Sequence, residues 1–460
     1  MKGRADRFVD ALRLLLPAPL TIALLLTAVA FAMAFFWGKL DGSAAERCIS
    51  LLDVWEKGLW NQPLMAFAVQ AMLMLALGHM LALSKPVGRF MDGLASRFSH
   101  STAQAAFWVS LITMATGWLN WGFGLIFGAI LARKVGEMAS RKGVAINYPL
   151  VGAAGYSGMM VWHGGFSGSA TIKAAEPGHL EALLAGSGVE GIPNQILPAT
   201  TVFSAMNLTV TVAVFVAVSF FMGWMGRRVP ANKLRIDSGF DTPPVAEEVV
   251  GAERLDHSRV MAYIAGLVFA GMAVYRAASH PNAAGLGFMT PDWINLLLFG
   301  LCFIAHGSIF RFLNALTEAI GGTAGILIQF PLYFGIMGLI SGSGLGSVLS
   351  AWLIGESNAV TYPLFTFFSS GLLNIFVPSG GGQWAIQGPL IVQAAVELNL
   401  PLEKAILAMA YGDQLTNMLQ PFWALPLLGI TGLNARAIAP YTVAMMLVAA
   451  CIFALALLVF

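Results

Sequence analysis

Charge is what this 460-residue chain has least of: Asp, Glu, Lys and Arg make up 10% of it, against 58% hydrophobic residues. A soluble domain carries about a quarter of its residues charged, so this composition excludes a water-soluble protein. Cysteine is equally scarce. Cys48, Cys302 and Cys451 are scattered, with neither metal-ligand spacing nor a disulfide framework. There is no G-x-S-x-G nucleophile turn and no H-E-x-x-H zinc helix, so the Ser, His and Asp present do not add up to an enzyme. A net charge of +2 gives no sign of nucleic-acid binding. The first apolar run, from about Pro17 to Trp37, is too long for a removed signal peptide and lacks its small-residue cleavage site, so it reads as a retained span.

What the chain has is apolar runs near the ~20 residues that cross a bilayer. They predict an all-α integral membrane protein with nine full spans: 17–37, 63–83, 148–175, 198–226, 259–279, 291–310, 312–340, 405–430 and 438–460. Two further segments, 104–133 and 361–395, read as re-entrant hairpins. With this arrangement, 19 of the 25 Lys and Arg fall on one side, in 1–16, 84–103, 133–147, 227–259, 311 and 431–437. Basic loops stay in the cytoplasm, which places the N-terminus 1–16 there and the C-terminus across the membrane. If 104–133 crossed fully, the later loops would change sides and the bias would collapse. The segment 227–258, with Pro243-Pro244, reads as a cytoplasmic linker. The stretch 38–62, where charges alternate with Leu51, Leu52, Trp55 and Trp60, reads as an amphipathic helix at the outer interface.

One unusual pattern occurs twice, about 255 residues apart. In the first copy the apolar stretches are interrupted at Asn120-Trp-Gly-Phe-Gly124 and Trp162-His-Gly-Gly-Phe-Ser-Gly-Ser169. In the second the interruptions are Asn374-Ile-Phe-Val-Pro-Ser-Gly-Gly-Gly-Gln383 and Asp413-Gln-Leu-Thr-Asn-Met-Leu-Gln-Pro421. The connecting span 259–279 makes repeat 2 (291–460) run upside-down relative to repeat 1 (17–226), each holding a hairpin and a broken helix. Backbone that leaves a helix at membrane depth must line a cavity or be covered by protein. Paired breaks in inverted repeats point to a secondary transporter's substrate site. A channel would draw selectivity from a ring of protomers, whereas here two halves surround one site.

The breaks carry the candidate residues. An organic carboxylate suits half-helix N-termini, whose free N–H groups and dipole favour an anion without a costly buried Lys. Gly164, Gly165, Ser167, Gly168 and Ser169 form one such nest; Ser379, Gly380, Gly381, Gly382 and Gln383 form the other. His163 is placed to meet the carboxylate or relay a proton, and Trp384, with Trp121, Trp162 and Trp423, to wall the pocket. Close helix packing is the plainer use of the same glycines. Asp413 is the sharpest residue, because an acidic group at mid-membrane marks an ion or proton path. It either titrates with a coupling H⁺ or stays ionised beside Asn374, Thr416 and Asn417 as oxygen ligands for Na⁺; Asn120 and Asn374, at equivalent hairpin positions, either cap the half-helices or add side-chain oxygens to that cation. A buried hydrogen-bond role is the structural alternative for Asp413. No cofactor and no other metal is expected.

The stretches Gly164–Ser169, Pro378-Ser-Gly-Gly-Gly-Gln-Trp384, Ala410-Tyr-Gly-Asp413 and Gln420-Pro-Phe-Trp-Ala-Leu-Pro426 resemble the bacterial short-chain fatty acid transporter family, within the ion transporter superfamily. The likeness runs over nearly the whole chain. It implies uptake of short monocarboxylates such as acetoacetate and butyrate across the bacterial inner membrane. It also implies cation coupling with alternating access and a homodimer. A carrier for another organic anion, such as a dicarboxylate, is the alternative. The chain departs from the family pattern at His163, where Gly is expected, so any role of that side chain is particular to this protein.

Overall fold

The computed structural model describes residues 18–184, 192–233, 251–281, 288, 290–348 and 357–460. The expected cytoplasmic N-terminus 1–16 and most of the linker, including Pro243-Pro244, lie outside them. Six helices among the described residues are long and apolar enough to cross a membrane, and three shorter apolar ones accompany them.

In the first half, α1 (Pro19–Trp37), α2 (Ala44–Leu59), α3 (Gln62–Leu83) and α4 (Lys85–Phe98) precede the hairpin of α5 (Thr102–Leu119) and α6 (Trp121–Arg141). A single residue joins the hairpin helices. Asn120 ends α5 in extended conformation, and its side chain caps α6 by accepting from the Phe123 N–H at 2.9 Å. Gly117 and Gly124 then let the two backbones touch: a Cβ built on Gly124 would lie 2.4 Å from the Gly117 Cα. The chain continues through α7 (Tyr148–Ala154), a 3₁₀ turn Ser157–Met160, irregular backbone, and α8 (Ser169–Ala174). The broken helix expected over 148–175 is thus interrupted for longer than it is helical. A short α9 (His179–Leu183) follows, then α10 (Ala205–Gly226), capped by Ser204. The span expected from 198 begins seven residues later, because 198–204 is a series of turns ahead of that cap.

In the second half come α11 (Arg259–Ala278) and α12 (Pro291–His306). The span expected at 312–340 is not one helix. It divides into α13 (Ile309–Ala319) and α14 (Ala324–Gly342) at a 3₁₀ turn over Ile320–Thr323, where Gly321-Gly322 weakens the helix. The second hairpin pairs α15 (Tyr362–Phe376) with α16 (Gly380–Glu397). Its antiparallel register is fixed by Gln383 Nε2 donating to Ser370 O and Tyr362 Oη donating to Ile391 O, both at 2.8 Å. The second broken helix is α17 (Leu402–Thr416), a 3₁₀ turn Asn417–Leu419 and α18 (Pro421–Thr431), and α19 (Ala435–Val459) ends the chain.

Hairpin then broken helix is therefore built twice, near the sequence interruptions but not at their starts: α15 runs through Asn374 to Phe376, α17 runs through Asp413 to Thr416, and the first break already opens at Gly155. Within 38–62 the helix is Ala44–Leu59, started by the reciprocal Ser43–Glu46 cap, and its inner face is occupied by protein. Val54 and Gly58 pack along α14, so closely that a Cβ on Gly338 would lie 2.4 Å from Val54 O. Arg133, which bonds Glu137 at 2.9 Å and Ile430 O at 2.8 Å, ties the first hairpin to the end of the second broken helix.

Candidate functional site

The two breaks face each other. Tyr156, ahead of the first, donates to Asn417 O in the second at 2.9 Å, and the Trp121 and Trp423 rings meet edge-on at 5.1 Å. At the centre His163 Nδ1 lies 2.5 Å from Asp413 Oδ2, both side chains being essentially excluded from solvent. The other ring nitrogen, Nε2, accepts from the Ala170 N–H at 3.0 Å. Because Nε2 must keep a lone pair for that bond, Nδ1 carries the proton and donates it to the carboxylate. His163 is thus neutral and clamped at both ends. It joins the two broken helices, with one face stacked on Trp162 and its Cε1 against Gly380.

Gln414, next to Asp413 in the second interruption, and Asn207, which sequence reasoning passed over, complete the clamp. Gln414 Oε1 accepts from the N–H groups of His163 (2.9 Å) and Gly164 (3.0 Å), pairing backbone that no helix satisfies. Asn207, fully buried on α10, donates to Gly164 O (2.8 Å) and Val202 O (2.7 Å) and accepts from Tyr411 Oη (2.9 Å). A polar residue in the first turn of an otherwise apolar helix was the available signal for Asn207. Nothing in the spacing connects it to residues 164 and 411.

Below Asp413 lies a cluster rich in oxygen. Asn374 Nδ2 is 2.7 Å from Asp413 O, 3.0 Å from Thr416 Oγ1 and 2.9 Å from Asn417 Oδ1. Thr416 passes its own proton to Gly371 O at 2.9 Å, and Gln420 Nε2 donates to Asn374 O. Three acceptors thus crowd one amide with two protons. Asp413 Oδ1, Asn374 Oδ1 and Gln420 Oε1 are buried with no partner of their own. Orphaned buried oxygens in one place are what a small oxygen-seeking cation requires.

The remaining expected residues divide in two. Asn120 and Ser167 belong to the first hairpin tip, where Ser167 Oγ accepts from the Trp121 N–H at 2.9 Å. Gly165 is pressed against that tip, since a Cβ there would lie 2.1 Å from Trp118 O. Gly164 and Gly168 are similarly closed in by Asn207 and by His163 O. The second hairpin tip is different. Ser379 caps α16 by accepting from the Gly382 N–H at 3.2 Å, and Ser169, Ser379, Gly381 and Gly382 keep contact with solvent. A Cβ on Gly381 would find only Ser169 Oγ, at 4.0 Å. Gln383 turns back into its own hairpin toward Ser370. Trp384 donates its indole N–H to His179 Nε2 at 2.9 Å.

A family model described as short chain fatty acid transporter matches residues 3–460. A protein named as a candidate short-chain fatty acid transporter of Escherichia coli (strain K12) is 36% identical over 475 residues, covering 100% of both chains. A second so named, from Haemophilus influenzae, is 35% identical over 468 residues, covering 99% of both. Among solved structures, the YdaH transporter of Alcanivorax borkumensis aligns with 95% of this chain and 98% of its own at 15% identity and a TM-score of 0.44.

Proposed function

Because the chain belongs to the short-chain fatty acid transporter family, and is therefore a multi-pass membrane transporter and not an enzyme, we propose that it carries short monocarboxylates such as acetoacetate and butyrate by cation-coupled alternating access. The observation that carries this reading is the meeting of the half-open α16 N-terminus with the buried His163–Asp413 pair. The first turn of an 18-residue helix presents N–H groups without intrahelical partners, and its dipole favours an anion. The carboxylate sits over Gly380 and Gly381, the Gly382 N–H being held by the Ser379 cap, with Ser379 and Ser169 hydroxyls at its sides. The coupling ion sits about Asp413, Asn374, Thr416 and Asn417. His163 separates the two, so charge added at Asp413 is felt one side chain away from the substrate.

The same geometry favours one carboxylate over two. The first break, Gly164–Ser169, spends its donors internally: Gly164 N–H on Gln414, Ala170 N–H on His163. A dicarboxylate would need a second open donor group of similar strength. Hairpin and broken helix recurring in the same order supports an inverted repeat. The bias of Lys and Arg supports a cytoplasmic N-terminus in the bacterial inner membrane, and the homodimer follows from the superfamily resemblance.

Uptake of labelled butyrate into proteoliposomes, with an imposed H⁺ or Na⁺ gradient, tests the reading. One gradient should drive accumulation, and acetoacetate should compete where succinate does not. Equal competition by succinate would overturn the monocarboxylate assignment. Accumulation indifferent to both gradients would overturn the coupling.

A further inference from the structure

Beside the first hairpin, an apolar crevice of about 190 Å³ opens between α3, α4, α6 and α12. Met74, Val87, Phe90, Gly122, Ile130 and Leu298 are among the residues that line it, and every lining residue is apolar or Gly. It follows α6 from Gly122 to Ile130, about 12 Å at ~1.5 Å per residue. The hydrocarbon depth of one leaflet is of similar size, roughly 15 Å. Its walls are open outward: Phe90 is 62% exposed and Phe123 43%.

The helix at its mouth supplies a second, independent feature. α4 is amphipathic, with Met91 and Ala95 buried and Lys85, Arg89 and Arg97 exposed along one stripe at intervals of four and eight residues. The acidic residue of α4, Asp92, is turned to Lys134 at 3.6 Å. Among the described residues neither Lys85 nor Arg89 is in an ion pair. Arg89 and Phe90 are both on the exposed side of α4, Phe90 lining the crevice and Arg89 about 100° round the helix from it, so the cation stands at the rim and not inside the apolar opening.

We propose that this crevice is a binding site for one anionic phospholipid, its headgroup held by Lys85 and Arg89 and one acyl chain laid along α6. A short-chain acid is not the occupant, because no donor lines the crevice to meet a carboxylate. A neutral lipid leaves the two cations unmatched. The bound chain rests on α6, the return leg of the hairpin whose tip bonds Ser167, so lipid identity reaches the transport machinery through one rigid helix.

Native mass spectrometry of the detergent-solubilised full chain, titrated with phosphatidylglycerol or phosphatidylcholine, tests this without any transport readout. The wild type should retain one phosphatidylglycerol in preference to phosphatidylcholine. Each cation near an anionic headgroup contributes about fivefold, so K85Q together with R89Q should weaken phosphatidylglycerol retention by about twenty-fivefold. Val87→Trp, which fills the mouth while leaving both cations, should also abolish the single high-affinity adduct. Variants are compared as monodisperse protein. Equal retention of the two lipids by the wild type, or phosphatidylglycerol retention unchanged in both variants, would overturn the proposal and leave only annular lipid.

Discussion

Replacing His163 by Ala isolates the contact that joins the two broken helices. The substitution removes a hydrogen bond to a carboxylate, worth about 1.5–3 kcal/mol, and strips the Ala170 N–H of its acceptor, worth about 1 kcal/mol more. It also leaves Asp413 with neither oxygen paired, since Oδ1 already lacks a partner. A buried carboxylate so exposed is strongly unfavourable. The total expected loss is therefore on the order of 3–5 kcal/mol of folding stability. The control is Asp413→Asn, which removes the charge but keeps the shape. In that background His163→Ala should cost less by about 2 kcal/mol, the charge-assisted share. The assay is a double-mutant cycle on reversible unfolding of the purified protein in mixed micelles. Additivity of the two substitutions within ~0.5 kcal/mol would refute the pairing, because contacting residues in one network do not add.

Other outcomes follow from the same geometry. Asn207→Leu should destabilise the protein by about 2–4 kcal/mol, because it leaves the Gly164 and Val202 carbonyls and the Tyr411 hydroxyl unpaired in the interior; thermal unfolding followed by size-exclusion chromatography checks this. Gly165→Ala and Gly381→Ala should separate structure from transport. The first forces a Cβ to within 2.1 Å of Trp118 O and should reduce the yield of folded protein, while the second has room, leaving folding intact and weakening butyrate uptake. If Na⁺ proves to be the driving ion, Thr416→Val, which keeps the shape and deletes one oxygen, should raise the half-saturating Na⁺ concentration about tenfold, with unchanged dependence on imposed pH.

Much of the architecture was legible because its breakpoints are written in residues that cannot sit idle in an apolar helix. Asn120, the Gly-rich runs and Pro421 mark tips and breaks where the helices in fact end, whereas Asn374 lies inside α15, which runs on to Phe376 before the tip capped by Ser379. Long continuous runs were less informative about their own ends. The 312–340 span hid a turn at Gly321-Gly322, and the turns at 198–204 read as apolar helix until the Ser204 cap is seen. Candidate residues near the breaks were legible by chemistry, but not their partners. His163 and Asp413 are 250 residues apart, and no periodicity pairs them. Gln414 falls in the expected second break and Asn207 in an apolar span, and only their bonds to residues 163 and 164 place them against the first break. The glycines show the limit most clearly: Gly165 and Gly381 are the same residue type in similar runs. Only three-dimensional packing reveals that one is pressed against a carbonyl and the other faces open space.

The central claim is that a carboxylate binds over the N-terminus of α16 beside His163. Its most direct test uses a chain in which Cys48, Cys302 and Cys451 are replaced and Gly381 is changed to Cys, modified with a small water-soluble thiol reagent. Butyrate should slow the modification at position 381, with half-protection at the concentration that half-saturates uptake, and should leave a control cysteine introduced at Ser96 unaffected. Modification at 381 that proceeds at the same rate with and without saturating butyrate would contradict the site.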